Sequence, residues 1–152
     1  MSLRDNISQA LKSAMKARDT DRLTTLRLIN AAIKDREIAA RGGDAVQELT
    51  DADLTAVLTR MVKQRRDSAR AYEEAARLDL AEKELAEIAV IEDFLPRQIT
   101  GTDMEAAVDR IIGAIGASSV RDIGKVMAAL KSEYAGQMDF GKAGALVKEK
   151  LA

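Results

Sequence analysis

The chain contains no cysteine and no histidine. The first absence excludes a disulfide framework and thiolate chemistry. The second removes the usual general base at neutral pH and the commonest ligand for zinc and iron. Tryptophan is also missing, proline occurs once, and aromatic residues make up only 3% of the 152 positions. No apolar run approaches the ~18 residues that suggest a membrane span, and no signal-peptide-like apolar segment opens the chain. The expectation is therefore a soluble, cytoplasmic protein with no membrane partner.

Charge of one sign is lacking too: Lys plus Arg total 24 and Asp plus Glu 25. Divided at Pro96, the chain has 16 basic and 18 acidic residues before it, and 8 basic and 7 acidic from there onward. An indiscriminate nucleic-acid binder carries a basic surplus, so any such contact here would need a local patch.

What is present is aliphatic and helix-forming. Hydrophobic residues make up 47% of the chain, and alanine, leucine, arginine, glutamate and lysine dominate, which are strong helix formers. The reading is all-α. Leu3, Ile7, Leu11 and Met15 mark a first helix from about 2 to 18. Leu26, Ile29, Ala32 and Ile33 mark a second, which Gly42-Gly43 stops. Thr50-Asp-Ala-Asp53 resembles a capping box and opens a third helix to about Arg77, with Leu54, Leu58, Met61, Val62, Ala69 and Tyr72 inward. Its other face carries Arg60, Lys63, Arg66 and Arg70, where Lys63–Asp67 and Arg70–Glu74 spacing predicts pairing along the helix. A fourth helix from about Leu80 to Asp93 turns Leu85, Ile88 and Ile91 inward and ends at Phe94-Leu-Pro96.

Pro96 is thus the natural boundary between an N-terminal bundle of about four helices, 1–95, and a C-terminal three-helix domain, 96–152. In the second part, Thr102-Asp-Met-Glu105 reads as a capping box before Met104, Val108, Ile111 and Ile115. Gly116 is a natural C-cap. Ser119 then starts a helix with Val120, Ile123, Met127, Leu130 and Tyr134 inward. Gly136 ends it, and Asp139 caps a last helix with Phe140, Ala143, Val147 and Leu151 inward.

Both last helices carry Gly-Lys in the first turn, Gly124-Lys125 and Gly141-Lys142. Backbone N–H groups there lack intrahelical partners and the dipole is positive, so such an end can receive a phosphate. Helix packing and solubility are the competing explanation. Neither site is a nucleotide-binding P-loop, which needs Gly-x-x-x-x-Gly-Lys followed by Ser or Thr after a strand; Val126 and Ala143 follow the lysines. Other catalytic signals are weak. Ala117-Ser-Ser119 lacks the glycine-rich flanks of an amidase serine, and Glu82, Glu84 and Glu87 lack the histidines of a bundle di-metal site. No metal, cofactor or catalytic residue is assigned.

Leu26-Arg-Leu-Ile-Asn-Ala-Ala-Ile-Lys34, Lys63-Gln-Arg-Arg-Asp-Ser-Ala-Arg70, Arg77-Leu-Asp-Leu-Ala-Glu-Lys-Glu84, Phe94-Leu-Pro96, Asp122-Ile-Gly-Lys-Val-Met127 and Asp139-Phe-Gly-Lys142 occur in this order along the whole chain. The ordered set resembles the YqeY-type proteins. That resemblance implies an all-helical N-terminal bundle followed by a small domain similar to the tail of GatB, a subunit of the glutamine-dependent amidotransferase that acts on misacylated tRNA. It implies a tail motif of Asp122, Gly124, Lys125, Met127, Gly136, Asp139, Gly141 and Lys142. Gln137 departs from the basic residue usual there, and Phe140 from the usual glycine. The family is often labelled a carbon–nitrogen ligase using glutamine as amide donor, but this chain lacks the GatB cradle domain and its catalytic apparatus. The function implied is a non-catalytic accessory module contacting tRNA or a tRNA-processing complex through Arg121, Lys125, Lys131, Lys142 and Lys148. A helical adaptor with a protein partner is the alternative.

Overall fold

The structure, a computed structural model, describes residues 2–40 and 48–152. Among them are seven α-helices and one 3-10 turn, with no strand: α1 (Leu3–Ala17), α2 (Thr20–Ala40), α3 (Asp51–Glu74), α4 (Leu78–Glu92), α5 (Gly101–Ile115), the 3-10 turn (Val120–Asp122), α6 (Ile123–Glu133) and α7 (Phe140–Leu151). The all-α expectation holds. The chain divides into two compact units, Met1–Pro96 and Arg97–Ala152. The Gly42-Gly43 stop expected after α2 lies outside the described residues.

In the N-terminal unit, α1–α4 bury one aliphatic core that includes Ile7, Leu26, Ile29, Leu54, Leu58 and Ile91. Arg18 ends α1 in the left-handed conformation at φ 55°. Thr50 and Asp53 close a reciprocal capping box at the start of α3. Two inward residues expected from the sequence are exposed instead, Met15 at 55% and Leu85 at 48%. The reason is angular. Steps of four residues advance by about 40° relative to the helix face, so after Ile7 the stripe moves to Ala14, which is buried. Leu85 lies six residues before the buried Ile91, about 120° round the helix. α3 also stops at Glu74, short of Arg77, because Ala76 turns to positive φ. That lets α4 begin at Leu78 rather than Leu80.

The C-terminal unit buries Met104, Val108, Ile111, Val126, Leu130 and Val147, among others. Gly116 caps α5 in the left-handed region, at φ 72°. The Thr102 capping box does not form: α5 starts at Gly101 with Thr100 as N-cap, so Thr102 already lies inside the helix. Val120 is 51% exposed and Val126, not Met127, is fully buried. Val120 lies in the 3-10 turn, whose three-residue period breaks the α-helical phase read back from Leu130.

Candidate nucleic-acid interface

Of the eight cations of the C-terminal unit, seven fall into two sets, and the eighth, Arg97, lines a cleft. Lys150 reaches Asp109 at 2.7 Å and Glu105 at 3.2 Å, tying α7 to α5. Its ammonium is held above the ordinary value, Asp109 being the larger cause and Glu105 the smaller. Arg110 donates to the Tyr134 hydroxyl at 2.7 Å and to Glu133. Those partners, the hydroxyl foremost, keep its guanidinium charged beyond the ordinary range. By contrast, Arg121, Lys125, Lys131, Lys142 and Lys148 are all exposed. None of the five joins an ion pair among the described residues.

These five do not occupy equivalent positions. Lys131 and Lys148 sit in the last turns of α6 and α7, where a cation complements the helix dipole. Lys125 and Lys142 sit in the first turns, where the dipole opposes a cation, and neither first turn contains an acidic residue. Their placement therefore gains nothing from helix electrostatics.

The helix starts are not open amide cradles. At α7, Asp139 Oδ1 accepts the N–H of Gly141 at 2.9 Å and of Lys142 at 3.3 Å. At α6, the preceding 3-10 turn continues into the helix, so the Ile123 N–H is bonded to the Val120 carbonyl. Asp122 turns its carboxylate back to the Ser118 N–H at 3.1 Å. The expectation of a phosphate seated on α7's first amides is corrected accordingly: a carboxylate of the chain already holds them. At α7 the lysine side chain is what remains available, and at α6 Lys125 is likewise exposed.

The motif glycines also separate. A Cβ on Gly141 would lie 3.1 Å from Asp139 Oδ1, so this glycine serves the cap. A Cβ on Gly124 would meet nothing within 4 Å. Gly136 takes a positive φ of 73° in the turn between α6 and α7. Met127 packs on Gly144, its Cε 3.7 Å from where a Cβ there would stand.

Sequence reasoning missed a second feature of this unit. An open cleft of about 510 Å³ is lined in part by Arg97, Ile99, Asp103, Arg110, Tyr134 and Gln137. Its two sides are pinned by the Ile99 N–H donating to the Gln137 carbonyl and by Gln98 Nε2 donating to the Gly136 carbonyl, both at 2.6 Å. The one sequence signal was Gln137 itself, noted as a departure from a basic residue. In the N-terminal unit, two arginines of α3 pair with α4, Arg65 with Glu87 at 2.9 Å and Arg66 with Glu92 at 3.0 Å, whereas the Lys63–Asp67 and Arg70–Glu74 pairs expected along α3 do not form among the described residues. Among the described residues no group of three or more Asp and Glu is arranged to hold a metal ion, and no helix is long and apolar enough to cross a membrane.

Comparison with known proteins places this geometry in context. The family model described as Yqey-like protein matches residues 4–151. Three relatives are named "Altered inheritance of mitochondria protein 41, mitochondrial". The one from Lachancea thermotolerans is 34% identical over 66% of this chain and 51% of its own length. The one from Clavispora lusitaniae is 40% identical over 62% and 52%, and that from Kluyveromyces lactis 36% over 58% and 45%. The chain thus spans about half the length of these curated relatives. Their names overturn the expectation of a cytoplasmic protein. That expectation rested on missing apolar segments, whereas mitochondrial addresses are amphipathic and arginine-rich, a pattern that a search for apolar runs does not test.

Proposed function

From the premise that this chain belongs to the YqeY-like family, we propose that it is a non-catalytic accessory module whose C-terminal unit contacts tRNA, or a complex that processes tRNA. The contact runs through Arg121, Lys125, Lys131, Lys142 and Lys148. The observation that carries this reading is the position of Lys125 and Lys142: exposed, without ion pairs, and at the helix ends where a cation is electrostatically unfavourable. Gly124 adds to it. A glycine inside a helix costs about 1 kcal/mol relative to alanine, and nothing within 4 Å requires one here. A bare surface beside Lys125 suits the close approach of a phosphate backbone.

An electrophoretic shift of tRNA by the purified chain, repeated across a salt series, tests the reading. Binding that weakens steeply with salt supports it, since phosphate contacts release counterions. An absence of binding at low salt overturns it. A protein-adaptor reading then takes its place, favoured by Leu78 and Leu85. These are 62% and 48% exposed on α4, and their seven-residue spacing puts them on one stripe.

A further inference from the structure

The cleft of the C-terminal unit combines an apolar surface with polar groups of complementary kinds. Ile99, Ala107 and the Tyr134 ring supply apolar atoms. Arg110 is engaged by Glu133 and Tyr134. Three other lining groups have no side-chain partner among the described residues: the Arg97 guanidinium, the Asp103 carboxylate and the Gln137 amide. An ionised carboxylate only accepts hydrogen bonds, a guanidinium only donates, and an amide does both.

This set matches one nucleobase edge better than the others. Guanine presents two adjacent donors, the ring N–H and the exocyclic amine, with a carbonyl oxygen beside them. A carboxylate can take both donors while an amide N–H meets the carbonyl. Adenine and cytosine would set an unprotonated ring nitrogen against the carboxylate. Uracil would set carbonyl lone pairs on either side of its single N–H. Unpaired bases in single-stranded RNA are read on these edges, over apolar and aromatic side chains.

We propose that this cleft binds an unpaired guanine nucleotide, with Asp103 accepting from the ring N–H and the amine, Gln137 donating to the carbonyl, and Arg97 meeting a phosphate. The proposal rests on the nucleic-acid reading above and adds base recognition to it. It gives Gln137 a role that a basic residue would fill less well, because a lysine or arginine would compete for Asp103.

The test titrates the full chain with guanosine, adenosine, cytidine and uridine monophosphates and follows backbone amides by NMR. Guanosine monophosphate should give saturable shifts centred on Ile99, Asp103 and Gln137, with affinity at least about tenfold above the other three, the scale of one hydrogen bond to a charged group. Asp103→Asn and Gln137→Glu should each abolish that preference while circular dichroism reports an unchanged fold. Equal shifts with all four nucleotides, no shifts in the cleft, or a preference that survives either substitution would overturn the proposal. The tRNA shift on the parent chain is a separate measurement. Salt-sensitive tRNA binding without guanine preference rejects the cleft proposal alone. Guanine preference without tRNA binding rejects the contact face and leaves the cleft a nucleotide site.

Discussion

The carboxylate of Asp139 accepts the backbone N–H of Gly141 at 2.9 Å, and a methyl group added to Gly141 would lie 3.1 Å from the same oxygen. The two residues thus explain each other. The cap needs its acceptor close to the second helical residue, and the second helical residue stays a glycine to leave it room. The Gly-Lys of α7 is, in its glycine, a capping device, and only its lysine is left for a partner.

Replacing Asp139 with alanine should lower the stability of the C-terminal unit by about 1 kcal/mol, the usual worth of an N-cap. Asp139→Asn retains an acceptor and should restore most of it. Thermal melts of the full chain followed by circular dichroism check this. Equal melting of parent and Asp139→Ala would mean that the cap does not hold α7.

Leu130 is fully buried on α6, together with Val126. Leu130→Ala should cost about 2–5 kcal/mol, and Leu130→Asp should unfold the unit by burying an unpaired charge. Met127→Ala should cost clearly less, since Met127 is only half-buried over Gly144. Denaturant titrations of these variants rank them. A larger loss for Met127 than for Leu130 would show that α6 presents a different face.

That contrast also marks how far the sequence could be read. Leu130, Ala143, Val147 and Leu151 follow helical spacing within unbroken α-helices, and all four are buried as their spacing predicts. Val120 misled because it belongs to a 3-10 turn, and Met15 because a strict four-residue step drifts off the helix face. The cations of the site are visible in any sequence. Which of them are engaged is not, because Arg110 finds Glu133 and Tyr134, and Lys150 finds Glu105 and Asp109, only once α5 packs on α6 and α7. The cleft was illegible for the same reason: Ile99 and Gln137 meet across 38 positions of chain.

Arg65 and Glu87 join α3 to α4 with side chains only 15% and 16% exposed. Removing one partner leaves the other charge largely buried, so Arg65→Ala and Glu87→Ala should each destabilise the N-terminal unit by roughly 3 kcal/mol. Replacing both with Met and Leu should cost much less than the sum, since it removes two desolvation penalties together. A double-mutant cycle in urea measures the coupling. Additive losses would show that the pair is solvated in solution.

Asp53 is held below the ordinary carboxylate value of 3.8, chiefly by the Thr50 N–H and then by the Thr50 hydroxyl. A carboxyl depressed on folding stabilises the fold above its unfolded value, and that contribution disappears as pH falls from 3.8 through the lowered value. The parent should therefore lose stability on acidification across this window more steeply than Asp53→Asn. Unfolding by urea at two pH values bracketing 3.8 supplies the comparison. Parallel losses would mean that the capping box makes no acid-sensitive contribution.

Lys125 and Lys142 open α6 and α7, and α6 is 11 residues long. At 1.5 Å per residue the chain travels roughly 16 Å along α6 before turning toward α7. One small phosphate pocket shared by both lysines is therefore a poor fit, whereas a backbone met at two points suits this spacing. Both side chains are exposed and outside the ion pairs of the unit, so Lys125→Ala and Lys142→Ala should melt like the parent. Each should weaken tRNA binding and reduce the slope of log affinity against log salt by about one unit. The double variant should lose about two, because separate phosphate contacts release their counterions independently. A parent that binds tRNA with a slope unmoved by either substitution would place the contact on another surface of the chain.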